Sequence, residues 1–418
     1  MKPTPKALSG PGLAEIEREV VAESRQWGRQ RLEERLQELA DQCGEVFPLK
    51  QRRSRPLRLR SELGDVRLVV DYGQDPATGR WYCPVREMWH LSPHEKITPG
   101  YAEKLCFTVT ATGSYEEAAQ LASKWASRMD DSTLHALVQR RGARAEGQAQ
   151  HRYETLPQER LPQRGPTELG VLMADGCLVR YRGAGWGRKK TKKERVEWHE
   201  LKLGVFYRHE ESAHTQGGRG ILSDKTVVSW QDTSLELGRR LHWEALREGL
   251  GRAQNLLFLG DGAEWVWHLK QDRWKSALEL LDFYHSSEHL WGLGRALHGE
   301  AQPTLSRWVE PLRHQVRHGQ EKQALRRIAR IKRRRGEAGR VIRREQHYFE
   351  THADRMNYQQ IAQRGWPIGS GAVESACRQK QVRFKRCGQF WTRDGLRNLC
   401  ALDEARRNRH WDELWTSN

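Results

Sequence analysis

Arg364-Gly-Trp-Pro-Ile-Gly-Ser-Gly-Ala-Val-Glu-Ser-Ala-Cys-Arg378 is the stretch on which the reading of this chain turns. Pro367 forbids a helix running through it, and Gly369 and Gly371 admit backbone angles that other residues avoid. Ser370 is placed to cap a helix that begins near Ala372 and runs into the basic residues beyond. Glu374 then falls in the first turn, where free N–H groups and the helix dipole favour an ionised carboxylate. An anion on a rigid element at the mouth of a tight turn suits a hard metal ion. The same residues also satisfy a plain helix start with a Glu374–Arg378 pair, worth about 0.2–0.5 kcal/mol. Two aspartates upstream shift the balance toward chemistry.

The 418 residues are enough for two to four domains and a sizeable core. With 72 lysines and arginines against 54 acids, the chain carries +18 and a pI near 9.8. That balance points to a polyanion as partner, nucleic acid first and an anionic membrane surface second. No apolar run approaches the ~20 residues of a membrane span, and the opening Met1-Lys-Pro-Thr-Pro-Lys6 lacks a signal peptide's apolar core. Seven scattered cysteines make a disulfide framework unexpected and a reducing cytoplasm the expected location. Most of the tryptophans are expected in the core or at domain contacts, with some free to stack on bases.

Residues 12–42 read as an amphipathic helix, with Leu13, Ile16, Val20, Trp27, Leu32, Leu36 and Leu39 near helical spacing. Leu57 to Val85 turns β-like, and Asp75-Pro-Ala-Thr-Gly79 makes a turn into Arg80-Trp-Tyr-Cys83. These segments make residues 1–110 an N-terminal helix plus small β region. Cys43 and Cys83 sit where a zinc ribbon places one ligand each. A ribbon needs four, so structural zinc is not expected. Residues 111–142 hold two short helices around Asp130-Asp-Ser132, the second ending in Gln139-Arg-Arg141. A helix-turn-helix and an ordinary helical hairpin fit that pattern equally well. The Gln, Arg, Gly and Pro content of 143–168 reads as a linker.

Beyond it, Gly170-Val-Leu-Met-Ala-Asp-Gly-Cys-Leu-Val-Arg180 is a strand pattern with one acid in its middle. Asp-Gly is also a strong hairpin-turn signal, but the apolar run continues on both sides. Further strands are expected over Trp198–Tyr207 and Ile221–Trp230, then a helix over 234–253 and a buried strand at Leu256–Leu259 ending in Gly260-Asp-Gly262. A Trp-rich helix (Glu264–Trp274) and a strand (Ala277–Leu281) follow, and Ser286-Ser-Glu288 is placed to cap the next helix. Three antiparallel strands, then helix, strand, helix and strand, give an α/β fold with a mixed sheet flanked by helices. Asp261 stands at a strand's C-terminal end, where such sheets carry their chemistry. Asp175, Asp261 and Glu374 together suggest a carboxylate triad.

Residues 299–363 interrupt this core, between a first part at 169–298 and a last at 364–418, with a helical and very basic segment. From Lys322 to Arg344 there are eleven lysines and arginines, Arg333, Arg334 and Arg335 among them, against the single acid Glu337. Charge so one-sided repels itself unless a polyanion neutralises it. Arg188, Lys189, Lys190, Lys192 and Lys193 form a basic hairpin tip, and Lys380, Arg383, Lys385 and Arg386 continue the theme beyond Glu374.

The assembled blocks are Ala174-Asp-Gly176, Gly260-Asp-Gly-Ala-Glu-Trp265, Leu281-Asp-Phe-Tyr-His285 with Glu288-His-Leu290, and Trp366 through Ser375. In that order they resemble bacterial insertion-sequence transposases of the acid-triad (DDE) class, closest to the Kra-type family allied to Mutator-like elements. The resemblance spans roughly residues 50–415. It implies an RNase H-like core, with Asp175, Asp261 and Glu374 as ligands of two Mg²⁺ (or Mn²⁺) ions. It implies that 299–363 is an insertion before the final core helix, and it carries an Asp-x-x-His element onto Asp282 and His285. It further implies double-stranded DNA as partner, at element ends and target, a homodimer holding two ends together, and residence at the bacterial nucleoid. The implied chemistry is attack of water on a phosphodiester, freeing a 3′-OH that then attacks target DNA. His285 is either an orienting group for a phosphate or leaving group, or a capping histidine beside the sheet; Tyr284 and Trp265 read as core. A catalytically inactive DNA-binding descendant and a structure-selective nuclease on the same core are the alternative readings.

Overall fold

The computed structural model describes residues 12–92, 95–126, 129–155, 164–214, 216, 220–222, 224–300, 303–332 and 334–416. The chain divides into two compact units, Met1–Arg141 with Asp412–Asn418, and Gly142–Trp411.

In the first unit, α1 (Leu13–Val46) is followed by β1 (Lys50–Ser61), β2 (Gly64–Gln74) and β3 (Trp81–Tyr82), an antiparallel sheet in the order β1-β2-β3. Leu32, Leu36, Ala40 and Cys43 of α1 pack with Leu57, Leu59, Val66 and Leu68 of the sheet. Of the expected apolar stripe, Leu32 and Leu36 are covered. Leu13, Ile16, Val20, Trp27 and Leu39 are exposed. Cys43 and Cys83 are buried free thiols of this core. Four helices follow the sheet: α2 (Pro84–Met88), α3 (Pro99–Ala111), α4 (Tyr115–Trp125) and α5 (Asp131–Thr155). Ser114 caps α4 by accepting from Glu117 N–H, and the Glu117 carboxylate reaches back to accept from Gly113 N–H, one residue before the cap. Helix α5 corrects two expectations. It does not end at Arg141, and residues 143–155 are helix rather than linker. The segment lacks proline, and its Ala, Glu, Gln and Arg content sustains the helix through Gly147. Of the rest of the expected linker, 156–163 lie outside the described residues.

The second unit is built on a five-stranded sheet. β4 (Leu169–Arg182) pairs antiparallel with β5 (Val196–Arg208). The short hairpin β6 (Ser212–His214) with β7 (Gly220–Leu222) stands apart as its own two-stranded sheet. β8 (Thr226–Trp230) then pairs antiparallel with β5. The single strand expected over Ile221–Trp230 is thus two, since Asp224 and Lys225 break the apolar run. After α6 (Ser234–Arg247), β9 (Asn255–Gly260) lies parallel to β4; after α7 (Glu264–Arg273), β10 (Leu278–Leu281) lies parallel to β9. The sheet order β10-β9-β4-β5-β8, with three antiparallel strands followed by two parallel ones, is the RNase H-like arrangement.

Helix α8 (Phe283–His298) leaves β10 directly, capped by Asp282 and not by Ser286 and Ser287. Those two serines are buried and donate to the Phe283 carbonyl one turn back. A helical segment follows as α9 (Thr304–Arg317), α10 (Glu321–Ala329), α11 (Gly336–Thr351) and α12 (Tyr358–Gln363). The chain then reaches α13 (Gly371–Phe384), α14 (Arg393–Arg407) and α15 (Trp411–Thr416). Among the described residues no helix is long and apolar enough to cross a membrane.

Candidate active site at the edge of the sheet

Ala174 of β4 lies opposite Gly260 of β9, and Gly260 lies opposite Leu281 of β10. The next residue on each strand is an aspartate, so Asp175, Asp261 and Asp282 form a row where the three parallel strands stop pairing. Adjacent strands lie about 4.8 Å apart, so residues at one level on them are neighbours. Asp175 is therefore mid-strand, not a turn residue: β4 runs on to Arg182, still paired with β5.

The three aspartates differ in surroundings. Asp282 is fully buried, and its carboxylate accepts the N–H of His285 at 2.6 Å and the N–H of Ser370. Phe283 N–H donates to the Ile368 carbonyl at 3.0 Å, so the loop before α13 is fastened to the start of α8. Gly369 is required there, because a Cβ would stand 2.7 Å from Tyr284 Cε2. Tyr284 itself is 58% exposed and not a core residue. Asp261 accepts from Ala263 N–H at 3.0 Å, and its carbonyl receives the Tyr348 hydroxyl at 2.9 Å. Gly262 follows at φ +110°, where a Cβ would stand 2.7 Å from the Tyr348 ring.

Ser370 occupies the position before α13, yet its side chain makes no backbone cap. Its hydroxyl faces Glu374 at 3.4 Å, while Glu374 N–H bonds the Ser370 carbonyl at 3.2 Å. The Glu374–Arg378 pair is loose, 3.9 Å between exposed side chains.

The Asp175 carboxyl is pushed above its ordinary range, first by burial and further by the negative charges of Asp261 and Glu374. Hydrogen bonds from Gly176 N–H and the Cys377 thiol oppose the rise. The structure thus brings the three acids into one electrostatic neighbourhood. Among the described residues it does not draw any three His, Cys, Asp or Glu side chains into a closed metal-ligand cluster. As a donor set, three carboxylates with mutual repulsion fit a hard divalent cation held partly by water.

His285 stands on the first turn of α8, with its ring 3.3 Å, nitrogen to nitrogen, from His289. His289 meets Glu345 of α11 and stacks on Tyr348. His352, behind Tyr348, is neutral: burial, then the Arg355 charge, drops its pKa to about 4. Sequence reasoning quoted His289 within a motif block but gave it no role, and it missed Glu345, Tyr348, His352 and Cys377. The i, i+4 spacing of His285 and His289 is a readable signal; the others are joined to the site only by tertiary packing.

The basic residues separate into two classes. Arg188, Lys189, Lys190, Lys192 and Lys193 are exposed on the connection between β4 and β5, and Arg334, Arg335 and Arg386 are exposed as well. Lys385 is half-buried against Trp198, and Arg333 lies outside the described residues. Lys380 and Arg383 are corrections. Lys380 is 1% exposed and pairs with Asp403 at 2.9 Å, and Arg383 is buried beside Phe384 and Trp391. Both sit on the inward face of α13, so neither presents charge to a DNA backbone.

The sequence model of the uncharacterised protein family UPF0236 matches residues 7–411. The chain belongs to the UPF0236 family. No curated protein matches it. Among solved structures, a chain of the Drosophila P element transposase strand transfer complex aligns at 10% identity with a TM-score of 0.24, covering 76% of this UPF0236 chain and 80% of that one.

Proposed function

We propose that this chain is a DNA transposase of an insertion sequence, of the Kra-type and DDE class, that nicks element ends and joins the freed 3′-OH to target DNA. The observation that carries the reading is the register: Asp175 and Asp261 stand side by side on neighbouring parallel strands, with Glu374 close enough to raise Asp175. Asp175, Asp261 and Glu374 would hold Mg²⁺ or Mn²⁺, two ions per site, which when bound neutralise charge on the attacking and leaving oxygens of a phosphodiester. Asp282 keeps the helix bearing Glu374 fixed to the edge bearing the aspartates. The exposed bases of the β4–β5 connection and of the insertion hold phosphates and displace counterions. The partner is double-stranded DNA, two copies of the chain holding two ends, in the bacterial cytoplasm at the nucleoid.

The test incubates purified protein with DNA carrying the ends of its own element, in Mg²⁺ or Mn²⁺. Nicks with 3′-OH termini that become joined to a second DNA are expected, and Asp261→Asn should abolish them. Nicking without joining would leave a nuclease, and tight DNA binding without nicking in either metal would leave a binding protein.

A further inference from the structure

Glu345 is almost completely enclosed, with a side chain 1% exposed, although it belongs to the most basic segment of the chain. Its Oε2 lies 2.5 Å from His289 Nδ1, and Arg344 donates to Oε1. Burial pushes this carboxyl up, but the bonds from His289 and Arg344 outweigh it and hold the group below its ordinary range. Taken as neutral, His289 carries its proton on Nδ1, because an ionised carboxylate only accepts, and His289 Nε2 is then the lone-pair nitrogen. That nitrogen is 3.3 Å from His285 Nε2, which must then be the donor. The remaining lone pair, on His285 Nδ1, then lies 3.6 Å from the exposed Glu288 carboxylate, beyond hydrogen-bond distance. The arrangement is held in place by Tyr348. Its ring stacks on His289 with centroids 3.7 Å apart and 16° between planes, and its hydroxyl donates to the Asp261 carbonyl.

We propose that Glu345 and His289 are positioning residues that hold His285 in its Nε2–H form, leaving Nδ1 to take the proton of the water that attacks the phosphodiester; this rests on the strand-cutting reading above. In that step an O–H bond of water breaks and its proton goes to Nδ1. The O–P bond forms and the P–O3′ bond breaks, its electron pair leaving on O3′, which takes a proton from solvent. The imidazolium keeps its Nε2–H bond to His289, and the Glu345 charge behind that pair offsets the positive charge gained. His285 returns to neutral by releasing the Nδ1 proton to water. Nothing near His285 in sequence announces Glu345; it is supplied by the insertion, which gives this segment a role beyond holding phosphates.

The experiment uses the full chain labelled with ¹⁵N-histidine, as wild type, His289→Phe and Glu345→Gln. His289→Phe keeps an aromatic ring on Tyr348 and removes both relay nitrogens; Glu345→Gln keeps the volume and removes the charge. The His285 signals are assigned by their loss in His285→Asn. Wild type should show His285 protonated at Nε2 and His289 at Nδ1, and His289→Phe should lose the single His285 tautomer. Mg²⁺-dependent nicking should fall roughly 10–100-fold in both relay variants, as for residues that act through another, at unchanged DNA affinity, assayed below the melting temperature that loss of a buried partner lowers. A wild-type His285 protonated at Nδ1 overturns the proposal, as does normal nicking in His289→Phe when Asp261→Asn is inactive. If wild type nicks in no metal, the strand-cutting reading falls and the proton-transfer role with it. The positioning claim is then decided by the nitrogen spectrum alone. If His289→Phe unfolds, Glu345→Gln decides on the same two readouts.

Discussion

The Asp282 carboxylate joins two backbone segments, accepting His285 N–H with one oxygen and Ser370 N–H, 88 positions away in sequence, with the other. One buried side chain thereby sets the starts of α8 and α13 against the end of β10. Because α13 carries Glu374 and β10 continues the row of aspartates, Asp282 ties together the elements that carry the three acids.

Asp282→Ala should destabilise the second unit by about 2–4 kcal/mol, from a lost helix cap and a buried N–H of Ser370 left without its acceptor. Urea denaturation measures it. Asp282→Asn retains an acceptor for one of the two bonds and should fall between. An alanine variant within ~0.5 kcal/mol of wild type would show that the loop before α13 is held by its other interactions.

The legible part of the fold was the part with local signatures. Alternating and continuous apolar runs marked every strand of the five-stranded sheet, and Gly260-Asp-Gly262 stood out as a strand end because glycine breaks the run on both sides. What escaped was decided by distance. Lys380 and Arg383 read as surface bases because their neighbours in sequence are basic, and only the fold supplies Asp403 and the rings of Phe384 and Trp391. Ser286-Ser-Glu288 has the composition of a cap, but Asp282, four residues earlier, is already in the capping geometry, so the helix starts there. Glu345 had no local signal at all, since its partner His289 is 56 positions away.

Lys380→Ala should act on stability, not on DNA. Its ammonium is enclosed with Asp403, whose carboxyl burial would raise but which Lys380 and Arg407 hold well below the usual range. Removing one member of a buried pair costs about 3–5 kcal/mol. Lys380→Met with Asp403→Leu should recover part of the loss. DNA affinity of folded Lys380→Ala, measured by anisotropy, should equal wild type. A selective affinity loss at unchanged stability would return Lys380 to the DNA surface.

Glu404 gives stability a pH dependence whose sign is unusual for a carboxylate. Lys380 is nearer to Asp403, at 2.9 Å, than to Glu404, at 3.7 Å, and burial pushes Glu404 from 4.5 up to about 7. Between those values the folded chain keeps a proton that the unfolded chain has released, so this contribution falls as pH rises from about 4.5 to 7. Buried His352, dropped to about 4, works the other way, because only the unfolded chain protonates as pH falls below its ordinary value of 6.5. The difference between wild type and Glu404→Gln cancels the histidine. It should decline as pH rises across the window in equilibrium denaturation. A flat or rising difference would mean that Glu404 is ionised throughout.

Replacing Lys189, Lys190, Lys192 and Lys193 with glutamine should weaken binding to all DNA sequences alike. The side chains are exposed on a connection outside the core, so melting temperature should hold. Every phosphate that a lysine no longer neutralises flattens the slope of log K against log salt by about 0.9. Titrations at several salt concentrations check this. A loss confined to one DNA sequence would mean that the connection reads bases.

Glu374→Gln separates the chemical from the structural role of its residue. The start of α13 is fixed by Asp282 on Ser370 and by Glu374's own backbone N–H on the Ser370 carbonyl, neither of which needs the Glu374 charge. Its ion pair with Arg378 is long and exposed on both sides, so its loss should move stability by less than about 0.5 kcal/mol. Affinity for DNA should hold or rise slightly, because one negative charge leaves a region that receives a polyanion. Asp175 should ionise more readily, since one of the charges raising its carboxyl is gone. Nicking in Mg²⁺ should nevertheless collapse by orders of magnitude, as a ligand of the ions is lost and each ~1.4 kcal/mol of transition-state stabilisation is tenfold in rate. Melting temperature, DNA affinity and nicking are measured on one preparation. Nicking within a few-fold of wild type would reduce Glu374 to a helix-start residue and leave any metal to the two aspartates.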